Sequence, residues 1–435
     1  MPMKRLGCLQ RICAGGMIND MERKNRVKNA GIINIFFLGL VSFFTDISTE
    51  MVYPLIPLYL VSAFGATPVL VGVIEGIAES LASLLKVFSG YATDRSQKKK
   101  AIAFSGYAAG LFYKLALLFA GSWVGILAAR CIDRIGKGIR TAPRDVLVSE
   151  SADKDGMGRA FGLHKAMDML GTALGILITY FILRSLGGAD GFDYKRLFAI
   201  SIIPAVLGLL MFVFVRQNNK PRETKKREPF WKNVKKIDGQ LKLYLLVVFI
   251  FTLGNSSNVF ILLKAKAAGF DDVNVILLYF IYSIIASLLV LPFGRLSDKI
   301  GRKNLLVPGY ISFALCYLGF AFADSLAPMV AVFVLYGIYT AMITGVERAF
   351  VAEISPPELK GTMLGLHSTI AGIALLPASV IAGGLWTAFG AQVPFLFGAG
   401  MSLVATAILV VFMKNMRTIS GGDNTGLHGK AGQYV

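Results

Sequence analysis

Charged residues stand in this chain where a charge is expensive. Asp46 and Glu50 lie four apart in an apolar stretch, and Glu75 and Glu79 repeat that spacing. Arg130, Asp133 and Arg134 interrupt a third stretch. At the centre of a bilayer each such group costs ~2.5–3.5 kcal/mol, so it must be paired or wet. Spacing of four sets two side chains on one helix face. Carboxylates and guanidinium groups held at one depth can trade a partner for a proton, or take up a charged solute, with no covalent step. Static ion pairs that only orient helices are the simpler reading of the same residues. A second polar set is uncharged: Asn255, Ser256, Ser257, Asn258, Tyr279, Tyr282, Tyr336 and Tyr339. Of these, Asn255, Asn258, Tyr279 and Tyr336 are candidate solute contacts, although helix–helix hydrogen bonds would use the same groups.

Covalent chemistry has no motif here. GxxxxGK[ST], HExxH and GxSxG are absent, and the cysteines Cys8, Cys13, Cys131 and Cys316 show no CxxC or metal-ligand spacing. No enzyme, cofactor or metal is expected. His164 and His367 stand near helix entrances as satisfied polar residues, or as groups that titrate.

The elements that carry these residues follow from composition. Only 16% of the 435 residues are charged and 55% are hydrophobic, whereas a soluble domain carries about 25% charged residues. Stretches of twenty or so nearly uncharged residues recur throughout, each long enough to cross ~30 Å of hydrocarbon as a helix. The expected fold is an all-α membrane protein of twelve transmembrane helices. They cover roughly 32–62, 69–93, 101–120, 123–148, 160–184 and 195–216, then 241–265, 273–297, 304–323, 327–352, 361–386 and 392–413. Residues 1–31 form an N-terminal segment that is basic but lacks the apolar core of a cleavable signal peptide. Residues 217–240 read as a basic linker and 414–435 as a polar tail.

The net charge of +19 would point a soluble protein towards nucleic acid. Here the basic residues sit in short loops, which reads instead as topology and contact with lipid headgroups. Alternate loops carry 30 against 5 Lys and Arg residues. The richer side, with both termini and the linker, is therefore expected in the cytoplasm, and the chain in the cell (inner) membrane.

The chain also repeats itself. Gly90-Tyr-Ala-Thr-Asp94-Arg95 matches Gly294-Arg-Leu-Ser-Asp298-Lys299 at an offset of 204. Gly158-x-x-x-Gly162-Leu-His164 matches Gly361-x-x-x-Gly365-Leu-His367 at 203, and Glu150 and Glu353 share that offset. Six helices repeated head to tail are parallel repeats, which puts a solute site near the midplane between residues 32–216 and 241–413.

These features resemble the major facilitator superfamily, whose motif between helices 2 and 3 runs G-x-x-x-D-R/K-x-G-R/K-R/K. Gly294, Asp298, Lys299, Gly301, Arg302 and Lys303 match it throughout. Gly90, Asp94, Arg95, Lys98 and Lys99 match with one departure, Gln97 for glycine. The resemblance covers about residues 32–413. It implies alternating access, with helices 1, 4, 7 and 10 lining the path and helices 3, 6, 9 and 12 peripheral; Lys114 in helix 3 is out of place. It also implies a cytoplasmic gating loop at Gly90, Asp94, Arg95, Gly294, Asp298, Gly301 and Arg302. Asp94 should then lie near the start of helix 11 and Asp298 near the start of helix 5. Arg134, Lys137 and Gly138 are similar to the R-x-x-x-G motif of proton-coupled members. Gly171 and Gly175 resemble the glycines of the antiporter motif in helix 5, without its proline.

Rise per residue places Glu79, Asp133, Arg134 and Asp46 roughly 15–18 Å deep. Glu50, Glu75 and Arg130 form a layer nearer the outside, with Glu50 placed to pair with Arg130. The expectation is a monomeric secondary transporter for a small-molecule solute and protons, with Asp46 and Glu79 as proton carriers. A multidrug or cation efflux carrier of the same fold, and a non-transporting sensor or scaffold, remain as alternatives.

Overall fold

The computed structural model describes residues 31–95, 98–152, 157–186, 193–217, 239–355 and 360–413. The expected N-terminal segment, linker and tail fall outside these residues except at their edges. Among the described residues there are twelve long helices and no strand. They are α1 (Gly31–Phe64), α2 (Pro68–Arg95), α3 (Lys99–Phe119), α4 (Trp123–Ser151), α5 (Met157–Leu186) and α6 (Tyr194–Phe214). The second set is α7 (Gly239–Ala267), α8 (Asp272–Ile300), α9 (Arg302–Phe322), α10 (Leu326–Ile354), α11 (Lys360–Phe389) and α12 (Val393–Met413).

Eleven of the helices are long and apolar enough to cross a membrane. The twelfth, α4, is long enough but carries Arg130, Asp133, Arg134, Lys137, Arg140, Arg144 and Asp145 along its length. Local chemistry sets several ends and breaks. Pro54 and Pro57 cannot donate backbone hydrogen bonds, and α1 tightens into a 3₁₀ turn at Tyr53–Leu55. Ser122 caps α4 by accepting from the Gly125 amide, and Asp271 caps α8 by accepting from Asn274. The α7 helix opens at Asn255–Ser257, and α10 breaks at Gly345, whose φ of 87° an L side chain rarely adopts.

One expectation about the ends is corrected. Gly90, Asp94 and Arg95 belong to the last turns of α2, and Gly294 and Asp298 to the last turns of α8. Nothing in either segment stops a helix. The chain turns at Gly301, with φ of 90°, so most of the motif read as a loop is helix.

α1–α6 and α7–α12 form the two halves. In the first, α4 packs on α2 and α3; in the second, α10 packs on α8 and α9. The repeat is visible in these contacts. Gly106 of α3 and Gly309 of α9 stand 203 apart, and each abuts the next helix, at Arg140 and Ile343, which share the same offset. Lys99 pairs with Glu150, and Arg302 pairs with Glu353 at 3.0 Å. The exposed Phe112, Phe119, Val213, Phe322 and Val411 lie on α3, α6, α9 and α12, so these helices present apolar side chains outwards.

The halves meet along α2 with α11 and α5 with α8. On the first seam the approach is backbone on backbone: a Cβ at Gly72 would lie 2.3 Å from the Ser379 carbonyl oxygen, and one at Gly383 2.6 Å from that of Pro68. Ser80 donates to the Gly372 carbonyl at 2.7 Å. Tyr194 hydrogen-bonds Asp272 between the first turns of α6 and α8. The Gly72, Gly383 and Tyr194 contacts lie towards the helix ends remote from residues 31 and 413, and the Ser80 contact lies about half-way along.

Candidate functional site

α2 and α4 run parallel, and their facing stripes form a ladder of ion pairs. Arg130 donates from Nε and Nη2 to the two carboxylate oxygens of Glu75, at 2.9 and 2.7 Å. One turn on, Arg134 meets Glu79 at 2.7 Å. Both pairs have the same register, 55 residues apart. Asp133 lies between the two arginines, 3.5 Å from Arg130 and 3.8 Å from Arg134. Arg130 is fully buried and Glu75 and Asp133 nearly so. The Tyr53 ring lies 5.2 Å from one guanidinium and 5.6 Å from the other, within reach of a cation–π contact. Two-pronged pairing of this kind fixes geometry as well as charge.

The other expected members are placed differently. Asp46 is not in the Arg134 cluster: its carboxyl group meets that of Asp168 on α5. Glu50 does not pair with Arg130, which is already held by Glu75. It lies in the field of Lys137 and Arg134, and its Oε2 atom is buried without a hydrogen-bond partner. Lys114, out of place for a peripheral helix, is buried and reaches inwards to Thr49 at 3.5 Å, close to the charge of Asp133.

The second half answers this charged face with aromatic rings. Tyr279, Tyr282 and Tyr336 form a run with centroids 5.4 and 5.1 Å apart. Tyr53 reaches across from the first half to Tyr279 at 6.4 Å. Asn258, at the break in α7, accepts from the Tyr336 hydroxyl at 2.8 Å, and Asn255 donates to Tyr339 at 3.3 Å. Both asparagines thus spend hydrogen-bonding capacity inside their own half. The offset of 203 maps Arg130 onto Phe333, Asp133 onto Tyr336 and Lys137 onto Thr340. Equivalent positions are charged in one half and aromatic or neutral in the other.

At the opposite end, Asp298 lies 3.3 Å from Arg302 of the following helix, which also meets Glu353 and the Ala349 carbonyl. Among the described residues no hydrogen bond or ion pair joins Asp298 to α5. The side chains of Asp94 and Arg95 lie outside the described residues. His164 hydrogen-bonds Ser42 at 3.0 Å, a satisfied polar residue, and His367 lies 3.9 Å from Glu347. Tyr53, Asp168 and Lys137 joined the site from outside the expected list. Tyr53 had one signal, its place three residues after Glu50.

The Major Facilitator Superfamily model matches residues 38–271 and 243–427. The chain belongs to this superfamily. An uncharacterised MFS-type transporter of Methanocaldococcus jannaschii is 34% identical over 90% of this chain and 98% of its own length. A multi-drug resistance efflux pump PmrA homolog of Lactococcus lactis is 25% identical over 75% of this chain and 81% of its own. Among solved structures, the nucleoside transporter NupG superposes with a TM-score of 0.70 at 13% identity, over 88% of this chain and 99% of its own. A D-xylose–proton symporter reaches 0.69 at 17%, over 87% and 97%. Those two likenesses speak for the fold. The protein is therefore a multi-pass MFS transporter, and its charged ladder lies in the first of the two halves that the superfamily fold pairs.

Proposed function

We propose that the protein is a secondary active transporter that moves a small solute by alternating access, coupled to protons, through a site at the midplane between the halves. The observation that carries this reading is the facing of unlike surfaces: a salt-bridged ladder on α2 and α4, and a tyrosine wall on α8 and α10, joined by Tyr53 and Tyr279. A buried ladder of this kind can exchange an acid's basic partner for a proton as the halves move. Glu50 is the foremost coupling group, because its Oε2 atom is buried and unpartnered beside the wall. Asp46 with Asp168, and Glu79 with Arg134, are the other candidates. No GxxxxGK[ST] loop is present to drive transport with ATP. The bias of 30 to 5 basic residues supports a reading with both termini in the cytoplasm and the protein in the cell membrane. The Gly72, Gly383 and Tyr194 contacts at the remote helix ends support a conformation open towards the cytoplasm.

Efflux of a drug is the second reading, favoured by the relative named as a multi-drug resistance efflux pump. Uptake into proteoliposomes with and without a pH gradient tests the main one, using a labelled carboxylate, amine and neutral solute. Glu50→Gln should abolish accumulation against a gradient yet spare counterflow, which needs no net proton movement. No uptake in any arm would leave a sensor of the same fold.

A further inference from the structure

The ladder between α2 and α4 has a third rung, and the rung lacks its acid. Glu75 faces Arg130 and Glu79 faces Arg134, both 55 apart. The next base on the same face of α4 is Lys137, seven residues beyond Arg130, and the residue 55 before it is Ala82. Ala82 cannot balance a charge. The helices remain in close contact there, since a Cβ at Gly138 would lie 2.6 Å from Leu85 Cβ and 3.1 Å from the Ala82 carbonyl oxygen. The following residue on the α2 stripe is Lys86, seven beyond Glu79, another base.

The second half adds a third cation. Lys86 lies in the fields of Lys137, Arg348 and Arg134, with Glu79 the nearby acid. Arg348 stands three residues past the break in α10 at Gly345. Both Lys137 and Arg348 are exposed. Lys137 shares the inward stripe of Arg134, so its exposure is to the space between the halves. Among the described residues, Lys86, Lys137 and Arg348 form no ion pair, whereas Arg130, Arg134 and Lys114 all have oxygen partners. The acids nearby are Glu79, engaged by Arg134, Asp133, shared by Arg130 and Arg134, Glu347, which accepts from the Tyr310 hydroxyl, and Glu50. Cations from three helices gathered in a partly dry space repel one another unless an anion joins them.

We infer that Lys86, Lys137 and Arg348 receive the anionic group of the solute, and that its apolar or aromatic body lies on Tyr53, Tyr279 and Tyr282. The solute class is then an organic anion such as a carboxylate. This rests on the transporter reading and narrows it. Because the three cations come from both halves, the anion also joins the halves.

The test uses the full-length purified transporter and three probes of one shape: phenylbutyrate, phenylbutylamine and phenylbutyramide. Binding is read by titration calorimetry, and uptake in proteoliposomes. The carboxylate should bind, and the amine and amide should not. Lys137→Gln and Lys86→Gln should each weaken phenylbutyrate by about ten-fold, the loss expected for one charged contact. Lys137→Arg should recover most of that loss, which separates charge from folding. Lys266→Gln, at an outer pair with Asp272, should change nothing. Equal binding of the amine or amide, no binding of any probe, or unchanged affinity in both lysine variants would overturn the assignment. Gradient-driven uptake of the amine alone would retain the transporter and reject the anion. Lysine-dependent binding of the carboxylate without uptake in any arm would retain the site and reject transport.

Discussion

At the residue scale, Arg130 decides how the first half holds together. It has no exposure and is clamped by both oxygens of Glu75. Removing one partner of a buried pair strands the other charge, at a cost of about 3–5 kcal/mol. Arg130→Met should therefore lower the melting temperature in detergent sharply, and Arg130→Met with Glu75→Leu should recover much of the loss. A melt unchanged by the single substitution would mean that Glu75 finds water or another cation. The pairing of Arg134 with Glu79 was legible from depth alone, because α2 and α4 run in the same direction from similar starts. Asp46 was not. Counting rise along a helix gives height but no azimuth, and Asp46 looks towards α5 while Arg134 looks towards α2. Its partner Asp168 carried only the signal of a charge in an apolar stretch, with nothing to tie it to Asp46.

At the element scale, close helix contact depends on a few glycines. A Cβ at Gly106 would lie 2.7 Å from the Gly136 carbonyl oxygen and from Arg140 Cβ, and backbone cannot move aside cheaply. Gly106→Ala should cost about 1–3 kcal/mol by overpacking. Gly400→Ala meets nothing within 4 Å and should be neutral, or stabilising by up to about 1 kcal/mol through helix propensity. Thermal melts of the two variants check the contrast, and equal melts would show that α3 and α4 pack more loosely than drawn. The helices themselves were legible within a few residues, because a span needs a fixed length of apolar chain. The C-terminal ends of α2 and α8 were read short, at 93 and 297 in place of Arg95 and Ile300. Charge marks where the hydrocarbon stops, and a helix does not have to stop there.

At the scale of the whole molecule, the two halves share a scaffold and differ inside. The pairs Lys99–Glu150 and Arg302–Glu353 occupy equivalent places, while the ladder has no counterpart in the second half. The repeat motifs announced the scaffold, and composition announced the unequal interiors. Which helices meet was implied by the resemblance, which set α2 by α11 and α8 by α5; which residues meet was not legible, since the seam is built from small residues with no pattern that names a partner. The α2–α11 seam offers a test of the conformational reading. A Cβ at Gly372 would lie 2.2 Å from Ser83 Cβ, so Gly372→Val should push the seam open. A cysteine at Leu376, one turn further out, should then react faster with an impermeant thiol reagent applied outside intact cells. In the parent background, a cysteine at Lys266 should react from outside and one within 217–240 only after permeabilisation. Labelling of the linker in sealed cells would reverse the orientation.

The charge on α4 also bears on how the chain reaches the bilayer. Insertion machinery tests each segment as it leaves the ribosome, and a centrally placed Arg or Asp weighs about 2.5–3.5 kcal/mol against entry. α4 carries Arg130, Asp133, Arg134 and Lys137 through its middle and would fail that test alone. Its acidic partners lie on α2, which is made earlier, so α4 can enter only with a neighbour already waiting to neutralise it. A glycosylation reporter fused after residues 123–151 alone should report failure to integrate, and the same reporter after residues 31–151 should report success. Integration of the isolated segment would mean that the ladder is assembled after insertion rather than during it.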